Sequence, residues 1–271
     1  MYKIIVDSSC NLLKDYLDDK NIKFGLAPLK LIINGKEYID NEDCNIDEML
    51  TSLKDTKVKC TSSCPTPYDF ESEMVDADYY FLVTISSKLS GSFNSATIAA
   101  QDKKNCFVVD SLGAAGSLQL VVDKLVELIQ KELSFEEIQK QIIEYRDSLN
   151  VFFVLDRFDN FIRSGRINKV LAFIASHAHI KPLCAGENGE IKLKAKIRTM
   201  KGCLHVLVTE LTKLVKDKMQ PIIISHTKNL EGAEYVKNLL VDTYGFKNVT
   251  ISINKALCAY YSLDGGVIVA F

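Results

Sequence analysis

The 271-residue chain has no tryptophan, only five prolines and four histidines, and a formal net charge of −2. So small a net charge sets up no field that would draw the whole molecule to nucleic acid or to an anionic bilayer, although local basic patches remain open. Long apolar runs are missing too. The uncharged stretch from Ser111 to Val122 stops well short of the roughly 20 apolar residues that span a membrane. The opening MYKIIVDSSC lacks the apolar core of a secretory signal. Eight cysteines are scattered without a repeated short spacing, which predicts free thiols in a reducing, cytoplasmic setting rather than a disulfide framework.

The familiar chemical motifs are absent as well. There is no phosphate-cradling P-loop, no Gly-x-Gly-x-x-Gly, no nucleophile elbow and no zinc-protease helix in the sequence, which argues against a conventional nucleotide enzyme or hydrolase. His177 and His179 would point to different faces of a helix and have no matching carboxylate or cysteine pattern, so no metal site is expected. His205 and His226 read as structural.

What is present is an alternation of strand and helix signals. With 47% hydrophobic and 25% charged residues, the length exceeds one average domain. The expected fold is α/β with two α/β domains, residues 1–150 and 151–271, the first around a mostly parallel sheet. Lys3 to Val6 is a short apolar strand opening into Asp7-Ser8-Ser9, with a helix expected from about Asn11. Leu26 to Ile33 and Lys36 to Ile39 flank Asn34-Gly35, a hairpin signal. Tyr79 to Ile85 and Cys106 to Asp110 are strands, each followed by a small-residue turn and a helical segment. A helix covers Phe135 to Ser148, a strand Val151 to Leu155 and an apolar helix Val170 to Ser176. Lys181 to Ala185 and Glu190 to Ile197 flank a second hairpin turn at Glu187-Asn188-Gly189. Beyond it come a helix over Lys201 to Lys218, a strand at Ile222, a helix from Leu230, and strands at Val249 to Ile253 and Val267 to Val269.

Hydroxyls concentrate where these strands end: Ser8-Ser9, Thr61-Ser62-Ser63, the run Thr84 to Ser92, and Ser111. In an open parallel sheet such turns gather on one edge, where ligands bind. Any one of these residues is more simply a helix cap or turn former. As a cluster, with backbone N–H groups at helix starts, they make a neutral site suited to one carboxylate or phosphate.

Four stretches give the chain a resemblance to the DegV family over nearly its whole length. They are Asp7-Ser8-Ser9-Cys10-Asn11-Leu12; Ser62-Ser63-Cys64-Pro65, similar to a Thr-Ser-x-Pro motif; Ile85 to Ser92, similar to a Ser-Ser-x-x-Ser-Gly loop; and Asp156 to Leu183, with Arg163-Ser164-Gly165-Arg166-Ile167 inside it. The resemblance implies a fatty-acid carrier with the ligand at the domain interface and no cofactor other than that lipid. It implies carboxylate contacts from Ser62 and Ser90, with Thr61, Ser63, Gly91 and Ser92 shaping the pocket. It also implies a partner, an ATP-binding fatty acid kinase subunit to which the carboxylate is presented for acyl phosphate formation, so that this chain has no catalytic residues of its own. Arg166 and Arg198 match basic family positions and would dock that partner or a transient membrane surface, with Lys169, Lys192, Lys194 and Lys196 adding local charge. Where the family has Gly-x-His-x-Gly-x-Gly, this chain has Ala259 to Gly266, and Tyr261 takes the histidine position. A phenol donates a hydrogen bond but does not carry a proton at neutral pH as imidazole does.

Burying about 15 methylenes at roughly 0.8 kcal/mol each yields on the order of 12 kcal/mol, so the tail would supply affinity. The head group costs several kcal/mol if desolvated without partners, so the hydroxyls would supply specificity. Two alternatives stand beside this reading: a serine hydrolase using Ser90 or Ser92, which requires a base within reach, and a carrier of a different amphipathic acid.

Overall fold

The computed structural model describes residues 1–55, 57–175 and 180–271, and only the backbone of Lys169, Val170 and Ala175. Ser176, His177 and His179 lie outside the described residues. The strands in chain order are β1 Tyr2–Asp7, β2 Ile22–Ala27, β3 Lys30–Ile33, β4 Lys36–Ile39, β5 Cys60–Ser63, β6 Tyr79–Thr84, β7 Cys106–Asp110, β8 Val151–Val154, β9 Lys181–Glu187, β10 Glu190–Ile197, β11 Ile222–His226, β12 Val249–Ile253 and β13 Val267–Ala270. The helices are α1 Ile46–Ser52, α2 Pro67–Glu71, α3 Ser92–Ala99, α4 Gly116–Gln130, α5 Phe135–Ser148, α6 Asp159–Ser164, α7 Lys169–Ala175, α8 Met200–Leu214, α9 Leu230–Asn238 and α10 Ala256–Ser262. No helix among the described residues is long and apolar enough to cross a membrane.

A four-stranded parallel sheet runs β2-β1-β6-β7. Its strands have mostly apolar centres because both faces are covered. Ile4, Val6, Phe81 and Val83 pack on α4 and α5 through Leu118, Val121, Leu125 and Ile138. Ile5 and Leu82 face α2 and α3 through Phe70, Ala96 and Ala99.

A second, six-stranded sheet runs β10-β9-β8-β13-β11-β12. It is mostly antiparallel, with β11 and β12 the parallel pair. Alternation along its strands separates two environments. Phe152, Val154, Leu183, Ala185, Ile222, Ile224, Val267 and Val269 join the core under α8 and α9, while Phe153, Leu155, Cys184 and Ile268 turn the other way.

The third sheet, β4-β3-β5, is antiparallel and shares a core with α1 and α10 through Leu31, Ile33, Met49, Leu50, Leu257 and Tyr260. All eight cysteines are free.

Three expected elements differ. No helix follows Asn11: Ser8–Cys10 forms a single 3-10 turn, and Asn11 ends it at φ 63. The Asn11 side chain is held by Asn254 and by the Lys255 N–H. Leu26 to Ile33 is two strands in two different sheets, parted at Pro28, whose missing N–H cannot continue a ladder. The helix from Met200 stops at Leu214, where Val215 is already extended. By contrast, Asn34-Gly35 and Asn188-Gly189 both have positive φ at both residues, the two-residue hairpin geometry their sequences predict.

Candidate functional site: an apolar cavity closed by hydroxyls

The hydroxyl cluster is organised around Asp7, the last residue of β1. This carboxylate is fully buried and accepts four hydrogen bonds. Oδ1 takes the Ser9 N–H at 3.2 Å and the Ser9 hydroxyl at 2.5 Å, and Oδ2 takes the Ile85 N–H at 2.8 Å and the Ser92 hydroxyl at 2.6 Å. Burial raises the Asp7 carboxyl above its usual range, with the hydrogen bonds opposing that rise. One carboxylate thereby ties the end of β1 to the turn after β6. Ser92, the first residue of α3, points inward to it and is outside the cavity lining.

Ser90 and Gly91 lie on the same turn but face the other way. The Ser90 hydroxyl accepts from the Ser92 N–H at 3.3 Å, and both residues line the cavity. Gly91 sits close to Cys64: a Cβ there would lie 3.2 Å from the Cys64 sulfur. Strand β5 brings the second hydroxyl group, and its alternation separates Ser62, half-buried, from Thr61 and Ser63, both exposed. Ser62 and Ser63 line the cavity; Thr61 does not.

Tyr261 reaches Ser62 from α10, an element that the sequence reading left unassigned. The Ser62 and Tyr261 hydroxyls are 3.0 Å apart. The start of α10 is held by Asp40, buried after β4, whose two oxygens accept the Ala256 N–H at 2.7 Å and the Leu257 N–H at 3.1 Å. Desolvation pushes the Asp40 carboxyl up to about 6. Farther along α10, Asn160 donates to the Tyr260 carbonyl at 2.7 Å, and the rings of Phe161 and Tyr261 lie 4.7 Å apart. Nothing in the local sequence of Asp40 or Asn11 signals these anchors, because both partners lie more than 200 residues away along the chain.

These parts enclose a cavity of about 280 Å³ between the parallel sheet's C-terminal turns and the face of the six-stranded sheet that carries Phe153 and Ile268. Val151, Phe153 and Leu155 run along one wall, with Ile191 and Ile268 beside them. Ser62 and Tyr261 meet near Phe161, and Ser90 lines the same cavity next to Gly91, which adjoins Cys64. Among the described residues no histidine or lysine lines it, and its charged members are Arg166 and Glu190. The arrangement suits a long apolar body with one small polar head.

Arg166 lies at the rim, its guanidinium donating to the Leu89 carbonyl at 3.3 Å and the Ser164 carbonyl at 2.7 Å. It also lines an adjoining polar cleft of about 640 Å³ together with Lys88, Asn168 and Lys192. Arg198 is exposed just past β10 and is not part of the cavity lining. Lys192 and Lys194 are paired with Glu190 and Glu187, so the expected basic strip is partly neutralised. The Lys169 side chain lies outside the described residues. His226 accepts the Asn229 N–H at 3.2 Å, and exposed His205 lies beside Tyr235; neither lines the cavity.

Known proteins share this sequence pattern and fold. The model of a family described as "Uncharacterised protein, DegV family" matches residues 1–267. A DegV domain-containing protein of Streptococcus gordonii is 33% identical over 279 residues, covering 100% of this chain and 98% of the relative. The crystal structure of the Streptococcus pneumoniae Fatty Acid Kinase (Fak) B3 protein loaded with linoleic acid superposes with a TM-score of 0.93 at 29% identity, over 100% of this chain and 98% of that one. A DegV family protein from Eubacterium eligens loaded with heptadecanoic acid gives 0.91 at 25% identity, over 100% and 99%.

Proposed function

Because the chain belongs to the DegV family, we propose that it binds one long-chain fatty acid, with the tail in the apolar cavity and the carboxylate at Ser62, Ser90 and Tyr261. The observation that carries this reading is the make-up of the cavity: a mostly aliphatic and aromatic lining that also carries the Ser62, Ser90 and Tyr261 hydroxyls, with Arg166 and Glu190 its charged members. Neutral donors suit a carboxylate that must be held without being buried as a fixed ion pair, since burying paired charges costs several kcal/mol per ion. The tail supplies most of the affinity. Thr61, Ser63, Gly91 and Ser92 complete the site as rim and scaffold, with Ser92 acting through Asp7.

The two halves, 1–150 and 151–271, act as two domains with the lipid between them, a division supported by the separate cores beneath the two large sheets. The carboxylate end opens toward the cleft at Arg166, where an ATP-binding kinase subunit docks and phosphorylates the acid. Likeness to the Fak B3 protein supports that partnership. Arg198 adds to the docking surface from a greater distance, with a membrane surface as a transient second partner. Phosphoryl transfer resides on the partner, in a cytoplasmic setting, and Tyr261 serves as a hydrogen-bond donor where the family has histidine. Serine hydrolysis has less support, since Ser92 is bonded to a buried carboxylate and no imidazole among the described residues lines the cavity.

The test is native mass spectrometry of protein purified from a bacterial host, followed by extraction of the ligand. About one fatty acid per chain is expected. Empty protein that also refuses added fatty acids sinks the reading.

A further inference from the structure

The end of the cavity remote from Tyr261 is built differently from the rest. There the lining is Leu112, Gly113, Val151 and Gly186, and these same residues line a separate polar groove on the other side that also contains Ser117 and Arg146. They therefore form a partition one residue thick. Val151 begins the wall strand β8, and Gly186 lies next to it on β9 in register.

Glycines at this end have different reasons to be there. At Gly113 a Cβ would meet the Ser117 hydroxyl at 2.3 Å, and at Gly189 the Ser86 hydroxyl at 2.5 Å, so packing requires both. At Gly186 the nearest atoms to a Cβ would be the Val151 Cβ at 3.7 Å and the Leu112 carbonyl at 4.0 Å, ordinary contacts. Its φ is not positive. Neither sterics nor backbone conformation demands glycine here, and glycine inside a strand costs roughly 0.5–1 kcal/mol relative to alanine. Its bare Cα leaves open space on the face turned away from the core that holds Leu183 and Ala185, where Gly186 borders both the cavity and the polar groove.

We propose that Gly186 is a specificity-determining residue that sets the chain length of the bound acid, its missing side chain leaving room for the terminal methylenes against Val151 and Leu112. This rests on the fatty-acid reading above. Each methylene denied a place lowers affinity about fourfold, so a side chain at 186 favours shorter acids and a smaller residue at 151 favours longer ones.

The test loads wild type, Gly186→Ala, Gly186→Val and Val151→Ala from one equimolar mixture of straight-chain acids running from lauric to arachidic, and reads the bound distribution by native mass spectrometry. Expected is a shift to shorter chains for both Gly186 variants, by about two methylenes in Gly186→Val, and a shift to longer chains for Val151→Ala. Gly186→Ala adds only one well-accommodated methyl and keeps the test decisive if the valine variant does not fold. Wild-type protein that loads normally, while the alanine variants reproduce its distribution, overturns this proposal alone; wild-type protein that loads none of the acids overturns both readings.

Discussion

Two sets of hydroxyls in this molecule do opposite things, although one member of each, Ser90 and Ser92, stands on the same turn. Ser9 and Ser92 turn inward onto Asp7, where each completes a bond to a buried carboxylate. Ser62, Ser90 and Tyr261 turn outward, bonded to one another or to one backbone N–H, with capacity left for a ligand. Residue type does not distinguish the sets. The difference is whether a buried acceptor already claims the hydroxyl, and it divides the scaffold of the site from its working surface.

That division can be broken most severely at Asp7. Asp7→Ala strands two hydroxyls and two N–H groups in a dry interior, and a loss of about 4 kcal/mol is expected from the cost of unsatisfied buried donors, read as a lowered urea midpoint. Asp40, which anchors the helix that carries Tyr261, sharpens the comparison through pH. Its carboxyl is raised from 3.8 to about 6 in the folded protein, so the folded state keeps a proton that the unfolded chain has released. The associated stability is fully present below about pH 4 and is lost as pH climbs through 6, on the order of 3 kcal/mol. Urea midpoints from pH 4 to pH 7 should show wild type losing that increment relative to Asp40→Asn; parallel pH curves for the two proteins contradict the assignment.

Ser92→Ala takes one bond from Asp7 and is expected to destabilise by about 2 kcal/mol while leaving ligand selectivity in place. Tyr261→Phe is the reverse case. It should weaken fatty-acid binding about tenfold, or about 1.4 kcal/mol, and leave the urea midpoint unmoved, because the phenol bonds Ser62 at the cavity. If Tyr261→Phe unfolds the protein or Ser92→Ala abolishes binding without loss of stability, the two sets have been assigned the wrong way round.

How much of this was legible in the sequence depended on range. Hairpins at Asn34-Gly35 and Asn188-Gly189 are local chemistry, and so is the helix from Phe135, capped by Ser134 with Glu137 reaching back; all three follow from their residues. The hydroxyl-rich turns after β1, β6 and β7 were readable because parallel topology itself collects strand ends on one edge. Their orientation was not, since Ser90 and Ser92 differ by two positions and only the placement of Asp7 decides which one is buried. Helix α10 escaped for a related reason: its start is held by Asp40 and Asn11 from the far end of the chain, and short helices gain their stability from tertiary partners rather than propensity. The helix expected from about Asn11 does not form, because Asn11 ends a single turn and its side chain is bonded to Asn254.

The 3.0 Å contact between Ser62 and Tyr261 joins residues 199 positions apart, and this bears on how the protein is born. On a ribosome adding about 5–20 residues per second, Tyr261 follows Ser62 out by about 10–40 seconds, so the strands of the parallel sheet emerge well before this contact can form. Until α10 arrives, the cavity lacks its polar stopper.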